Sequence, residues 1–145
     1  MSIKFNSLKP VKYILYILLL IFTSCTEPKP PQVTFDVPAL IGKNIDEIRK
    51  VLGKPLYDQI EPSNQKEETF ENTFKKNGET LFVLFNPKTR RISQLCLIAS
   101  EEYDKLEDVM KIGNLTLTNT DNYHIESFHP FASNPPFTGI RIYTR

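Results

Sequence analysis

The sequence predicts an α+β domain in which short helices pack on one face of an antiparallel sheet. Residues 44–53 and 100–113 carry apolar side chains at helical spacing. Strand-like segments follow each of these helices, and Asn77-Gly78 joins two of the strands through a dipeptide typical of β-hairpin turns. A helix followed by strands, and then again a helix followed by strands, is typical of the α+β class.

The first helix is predicted from the signals at its two ends. Asn44 can accept hydrogen bonds from the first-turn amides, and Glu47 completes a capping box. Gly53 suits the positive φ that often follows a last helical turn, and Pro55 prevents continuation. The predicted apolar face comprises Ile45, Ile48, Val51 and Leu52.

The strands are predicted as a meander. ETFENTFKK and ETLFVLF flank Asn77-Gly78, and RISQLCLIA follows the turn NPKTR. Residues 81–85 and 95–99 are almost continuously apolar, which favours central positions in the sheet. Two more strands are predicted, YHIESF and FTGIRIYT, and LTLT at residues 115–118 is a candidate for a short one.

The second helix is predicted to begin with Ser100 as N-cap and to end at Gly113. Glu101 and Glu102 would occupy its first turn, and its buried face would comprise Tyr103, Leu106, Val109 and Met110. IDEIRKVL in the first helix and YDKLEDVM in the second share a partial pattern. This leaves open a tandem helix-plus-strands repeat, although any two amphipathic helices share part of such a pattern.

The N-terminus has the features of a secretory signal. Residues 13–22 form an apolar run of ten, about half of what a helix needs to cross a ~30 Å hydrocarbon core. Lys4, Lys9 and Lys12 precede this run without any acidic residue. Residues 1–24 are therefore predicted to be a signal peptide rather than a membrane span.

The residues after the apolar run resemble the lipobox of bacterial lipoprotein precursors. Thr23, Ser24 and Cys25 match its last three positions, while Phe22 stands where leucine is usual. The resemblance implies cleavage before Cys25 and attachment of diacylglycerol to its thiol. The alternative is an ordinary signal peptide with a chance cysteine.

Acylated Cys25 would attach the protein to a lipid bilayer, since each buried methylene contributes ~0.8 kcal/mol and two or three chains anchor durably. Residues 25–37 are predicted to be a lipidated, proline-rich tether, because TEPKPPQ favours an extended path. Residues 38–145 then form one domain. The predicted location is the cell envelope, at the outer membrane facing the periplasm, with the inner membrane as the alternative.

The charge of the chain argues against a nucleic-acid partner. Residues 1–24 hold three of the 18 basic residues and none of the 17 acidic ones, so 15 basic and 17 acidic residues remain, a formal charge of −2. Nucleic-acid binding calls for a basic surface. The same balance argues against electrostatic attraction as the main membrane attachment.

If Cys25 is acylated, Cys96 has no disulfide partner and is predicted to be a buried, inert thiol.

LIGKNIDEIRKVLGKP, followed by a hairpin ending in LFVLFN and by RISQLCLI, resembles the BamE/SmpA/OmlA family of small outer-membrane lipoproteins. The layout is also similar to that of β-lactamase inhibitor proteins. The match covers residues 38–99, and the residues at family positions are Gly42, Leu52, Gly53, Pro55, Phe74 and Phe85. The resemblance implies a non-catalytic binding module. VPALIGKNIDEIRKVL is also similar to the opening of a PASTA repeat, but the Pro- and Gly-rich strand pair of those repeats does not follow.

No residue set predicts catalysis, a cofactor or a metal. His124 and His129 flank Glu126, but on a strand His124 and His129 would point to opposite faces, and no third ligand is evident. The glycines are not spaced for a phosphate-binding loop, and nothing places a serine, a histidine and a carboxylate together.

The segment SFHPFASNPPF carries the candidate partner-binding residues Phe128, Phe131 and Phe137. Exposed aromatic side chains on loops often anchor interfaces. The alternative is that these rings fold back on the edge of the core.

The leading prediction is a non-enzymatic, membrane-anchored protein-binding module that contacts another envelope protein in outer-membrane assembly or integrity. The alternative is an inhibitor or immunity-type lipoprotein that blocks a hydrolase.

Overall fold

The computed structural model describes residues 30–60, 69–116, 122–128 and 136–144. These residues form two helices and six strands, so the chain is a mixed α+β protein with an antiparallel sheet. None of the described helices is long and apolar enough to cross a membrane. The elements are α1 (Ile45–Leu52), β1 (Tyr57–Ile60), β2 (Phe70–Lys76), β3 (Glu79–Phe85), β4 (Ile92–Tyr103), α2 (Leu106–Ile112), β5 (Tyr123–Phe128) and β6 (Phe137–Thr144).

The six strands form one sheet in the order β1-β2-β3-β4-β6-β5, and every neighbouring pair is antiparallel. β3 and β4 lie at its centre, as their continuous apolar character predicts. Asn77 and Gly78 form the turn between β2 and β3 with φ values of 53° and 91°, which confirms the hairpin prediction. The strands predicted at residues 123–128 and 137–144 are confirmed as β5 and β6.

One apolar core lies between the sheet and the two helices. The register places Leu81, Leu97 and Ile140 in one row across β3, β4 and β6, and all three are fully buried. Both helices bury their apolar residues in the same cluster, α1 through Ile45 and Ile48, and α2 through Val109, Met110 and Ile112. The helices therefore cover the same face of the sheet. Burial of each such side chain contributes roughly 1.5–3 kcal/mol.

The ends of α1 agree with the sequence prediction, but one predicted core residue does not. The amides of Asp46 and Glu47 both donate to Asn44 Oδ1 at 3.0 Å, and the Asn44 amide donates to Glu47 Oε2 at 2.9 Å. Gly53 follows the helix with φ 86°. The prediction that Val51 is buried is wrong, since it is 60% exposed. At 3.6 residues per turn, Val51 lies about 90° around the helix from the mean direction of the other three apolar residues.

The start predicted for the second helix is wrong. β4 continues to Tyr103, which pairs with Phe137, and α2 begins only at Leu106. The Ser100 amide and hydroxyl donate to the Glu79 carboxylate at 2.7 and 2.9 Å, so Ser100 is bound to a neighbouring strand and does not cap a helix. The predicted end at Gly113 is confirmed.

The folded part of the chain begins before Pro38, the predicted first residue of the domain. Thr34, Phe35 and Val37 are buried, although the sequence analysis assigned them to the tether. The amides of Thr34 and Phe35 both donate to the Ile112 carbonyl, and the Val37 amide donates to that of Gly113. This segment therefore packs along the end of α2.

The sequence prediction and the structure differ at two short segments, residues 57–60 and residues 115 and 116. β1 was not predicted, because YDQI shows no alternation of apolar and polar residues. Of the strand considered at residues 115–118, Leu115 is buried and Thr116 lies outside any strand, while residues 117 and 118 lie outside the described part of the chain.

Candidate binding surface

The face of the sheet opposite the helices is the candidate binding site. No helix covers it among the residues that the structure describes. We call this surface the open face, and the strand registers divide its side chains into three rows. The first row comprises Tyr57, Thr73, Phe82, Cys96, Arg141 and Glu126; the second comprises Gln59, Glu71, Leu84, Gln94, Tyr143 and His124; and the third comprises Lys75, Thr80 and Ile98.

The centre of the open face is apolar. Phe82, Leu84 and Ile98 project from β3 and β4 and are half-buried. Cys96 lies directly opposite Phe82 and is 9% exposed, and Thr73 on the other side of Phe82 is 5% exposed. Cross-strand neighbours lie ~4.5–5.5 Å apart at Cβ and shield each other from water. A solvent-facing sheet surface is more commonly polar, so this composition points to a contact surface.

The rim of the open face is polar and aromatic. His124 stacks on Tyr143 with ring centroids 6.4 Å apart, and its Nε2 lies 3.4 Å from Glu126 Oε1. On the opposite side, the Thr73 hydroxyl donates to Glu71 Oε1 at 3.2 Å. Arg141 is exposed in the row that contains Phe82. An apolar centre with a rim of tyrosine, arginine and charged groups has the anatomy of a protein–protein interface.

Cys96 belongs to this surface as a packing residue and not as a nucleophile. Burial raises the pKa of its thiol to about 11, although nearby Arg141 acts in the opposite direction. The thiol is free and stays protonated near neutral pH. Its surroundings therefore agree with the inert role expected from the sequence.

A second polar cluster lies on the helix side of the sheet. Arg49 Nε donates to Asn72 Oδ1 and Arg49 Nη2 to Asp58 Oδ2, both at 2.8 Å, and Asn72 Nδ2 donates to Asp58 Oδ1 at 2.7 Å. The Arg49 guanidinium also lies 5.8 Å from the centroid of the Phe85 ring. These side chains bind one another and join α1 to β1 and β2, so the cluster is structural.

Arg90 makes a similar link to the first turn of α1. Its guanidinium donates to both carboxylate oxygens of Asp46, and the hydrogen bond lowers the pKa of that carboxyl. Arg90 also lies 5.5 Å from the Phe85 centroid.

Among the described residues, no group of three or more histidine, cysteine, aspartate or glutamate side chains could hold a metal ion.

Of the sequence-predicted site residues, the structure describes the backbone of Phe128 and the whole of Phe137. Cys25 and Phe131 lie outside the described residues. Phe128 is the last residue of β5, opposite Gly139. Phe137 begins β6 opposite Tyr103, and its half-buried ring packs against the core, which is the alternative that the sequence analysis considered. His129 also lies outside the described residues.

The open face was not identified from the sequence. The sequence did contain a signal for it, because apolar residues occupy both faces of β3 and β4. The nearly continuous apolar character of these strands was interpreted only as evidence for their central position in the sheet. In the described part of the chain, the two short helices cover one face of the six-stranded sheet, so the remaining apolar positions of β3 and β4 lie on the other face.

Comparison of the chain with protein-family models, with curated proteins and with solved structures finds no match.

Proposed function

We propose that this protein is a non-enzymatic, lipid-anchored lipoprotein of the cell envelope that binds another envelope protein through its open face. The observation that carries the proposal is the apolar centre of that face, formed by Phe82, Leu84, Cys96 and Ile98. The lipobox-like residues that end at Cys25 support the lipid anchor. The resemblance to small outer-membrane lipoproteins supports the location at the outer membrane.

The dimensions of the open face suit a protein partner. Strands lie ~4.8 Å apart, so the six strands extend about 24 Å from β1 to β5, and the three rows extend about 14 Å along the strands. This area can form the centre of an interface of standard size, which buries ~800 Å² per partner. A small-molecule site would instead be expected to be a concave pocket that encloses most of its ligand.

The open face would be displayed close to the membrane. Cys25 precedes the described chain at Pro30 by five residues, which can span at most about 18 Å when fully extended. An acylated Cys25 would therefore hold the domain next to the bilayer, where it meets other envelope proteins.

The test places a photo-crosslinking amino acid at position 82 of the full chain in intact cells, with the same amino acid at position 88 as control. Lys88 is exposed in the β3–β4 turn, outside the open face. We expect one stoichiometric crosslinked partner from position 82 and none from position 88. Crosslinks that are equal at both positions, or that are absent at position 82, would refute binding by the open face.

A charge placed in the centre of the open face tests the same interface in a second way. Ile98→Glu should weaken partner binding by about 30-fold or more, since a central interface residue contributes ~2 kcal/mol or more. Lys88→Glu should have no effect. Incorporation of labelled palmitate, with its loss in Cys25→Ser, tests the anchor separately.

The inhibitor or immunity-type alternative would use the same surface. It predicts that the crosslinked partner is a hydrolase and that the purified protein blocks its activity at stoichiometric concentration. General outer-membrane permeability on deletion, without effect on a hydrolase, would favour the role in assembly or integrity.

Membership of the BamE/SmpA/OmlA family and a tandem repeat are also part of this proposal. The arrangement of the sheet supports the repeat, because α1 precedes the antiparallel pair β1 and β2 at one edge, and α2 precedes the pair β5 and β6 at the other. The sequence pattern that IDEIRKVL shares with YDKLEDVM gives the same grouping.

A further inference from the structure

A second exposed apolar surface lies between the end of α1 and the end of β2. Its main residues are Val51, Leu56, Phe35, Lys54 and Lys76, and we call this surface the basic groove. Lys75 also adjoins it, but its side chain belongs to the open face. Val51 and Leu56 are 60% and 57% exposed, among the few large apolar side chains of the described chain that water reaches so freely. The backbone holds Leu56 in place, since its amide donates to the Thr73 carbonyl at 2.7 Å.

The charge of the basic groove is of one sign. Lys54 and Lys76 are both exposed, and no aspartate or glutamate lies among the residues that line the groove. Within the described ranges, neither of these two ammonium groups forms an ion pair, whereas the nearby Arg49 and Arg90 each bind a carboxylate. The whole chain has a formal charge of only +1, so this concentration of positive charge is local.

The basic groove adjoins the segment that leads towards Cys25. Phe35 lines the groove. Pro30 and Thr34 lie beside Asn77, which directly follows Lys76 in the β2–β3 turn. Since the five residues from Cys25 to Pro30 span at most about 18 Å, an anchor at Cys25 would bring the groove to the bilayer surface.

We propose that the basic groove docks on an anionic lipid surface, with its lysines at the headgroups and with Val51 and Leu56 in the interfacial layer. The proposal rests on the proposed function for the anchor at Cys25, but it does not depend on a protein partner. Apolar side chains flanked by lysines are the combination that binds membrane interfaces. An acidic protein would meet the same charges, but the position beside the tether favours the bilayer.

The lysines would orient the domain rather than attach it. Each lysine near an anionic surface contributes about fivefold in affinity (~1 kcal/mol), so two contribute roughly 25-fold to the preference for the docked orientation. The acyl chains still provide the attachment, in agreement with the near-neutral charge of the chain. Docking through the groove leaves the centre of the open face accessible to a partner.

A tryptophan reporter tests this orientation, because the chain contains no tryptophan. Val51→Trp and, as matched control, Lys88→Trp are made in the full chain and reconstituted into vesicles that contain brominated lipid. One vesicle population is phosphatidylcholine alone and the other also contains phosphatidylglycerol. Mass spectrometry of the same preparation determines whether Cys25 is acylated; if it is not, a maleimide lipid is coupled to Cys25, since Cys96 is buried.

We expect quenching of the tryptophan at position 51 to be several-fold stronger than at position 88 in the anionic vesicles. Quenching at position 51 should fall to the control level in phosphatidylcholine alone and in about 1 M salt, where the Debye length is about 3 Å. It should also fall to that level in the variant Lys54→Glu/Lys76→Glu. Lys88→Glu should leave it unchanged.

Equal quenching at positions 51 and 88 in the anionic vesicles would overturn the docking proposal. Quenching at position 51 that ignores lipid charge and salt would overturn its electrostatic part. Absence of the acyl group in the mass spectrum would instead count against the lipid anchor of the proposed function. Because the coupled lipid replaces the acyl group, docking through the groove can be tested in either case.

Discussion

Replacement of Asn72 by alanine should destabilise the protein by removing the central member of the polar cluster between α1 and the sheet. Asn72 is fully buried, accepts from Arg49 Nε at 2.8 Å and donates to Asp58 Oδ1 at 2.7 Å. Two charge-assisted hydrogen bonds would contribute about 3–6 kcal/mol if both partners were buried. The side chains of Arg49 and Asp58 are 28% and 49% exposed, so water replaces part of this loss. We therefore expect the free energy of unfolding to fall by about 2–3 kcal/mol.

Urea unfolding of the purified protein measures this change, and a double-mutant cycle assigns it to the contact. Arg49→Ala and Asn72→Ala should be non-additive by about 1 kcal/mol, because each removes the same hydrogen bond. Lys50→Ala, on the same helix and exposed, should be additive with Asn72→Ala and is the control. A coupling energy for Arg49 no larger than that for Lys50 would show that the hydrogen bonds do not hold α1 on the sheet.

Four other changes have expected outcomes. Asn44→Ala removes the acceptor of two helix amides and should lower the free energy of unfolding by about 1 kcal/mol in urea titrations; no change would mean that water replaces the cap. Gly53→Ala should cost about 1–3 kcal/mol, because φ 86° and ψ −160° are essentially confined to glycine, and a neutral result would show that the backbone relaxes. Leu97→Ala, at the fully buried centre of the core, should cost about 2–5 kcal/mol, and a loss below 1 kcal/mol would contradict the packing described. Burial raises the pKa of Cys96 from its ordinary value of 9.0 to about 11, so the unfolded chain loses this proton first and the free energy of unfolding should fall as the pH rises from 9 to 11. Cys96→Ala should lack this part of the pH dependence. An unchanged slope of the free energy of unfolding against pH in Cys96→Ala would refute this expectation.

The elements that could be predicted from the sequence are those specified by local signals. Asn44, Glu47 and Gly53 define both ends of α1 within one short segment, and Asn77-Gly78 defines a hairpin through residues that tolerate positive φ. Each signal acts over a few residues, so these elements could be predicted without knowledge of contacts with distant residues.

The elements that were missed depend on contacts between distant residues. Ser100 has the local features of an N-cap, but the Glu79 carboxylate binds its amide and hydroxyl, and β4 continues. β1 is a short, polar edge strand whose Asp58 is held by Arg49 and Asn72, which are far from it in sequence. Tertiary contacts override local preference at both places.

The candidate site residues also differ in whether a local sequence signal predicts them. The sequence points to Cys25, through a short contiguous pattern, but the open face is created only when β3 and β4 pair in a defined register. Alternate residues of two strands then form one surface, and no local pattern indicates which of the two apolar faces the helices leave uncovered.

β4 connects the two parts of the chain, since its residues 94–98 pair with β3 on one side and with β6 on the other. The strands that precede it and the strands that follow it therefore share a single interior. A chain cut after α2 would leave Leu95 and Leu97 without Ile142 and Ile140 beside them. We therefore expect that neither fragment folds by itself. The consequence is all-or-none unfolding: proteolytic loss of the C-terminal hairpin should remove the whole domain rather than leave a trimmed remnant.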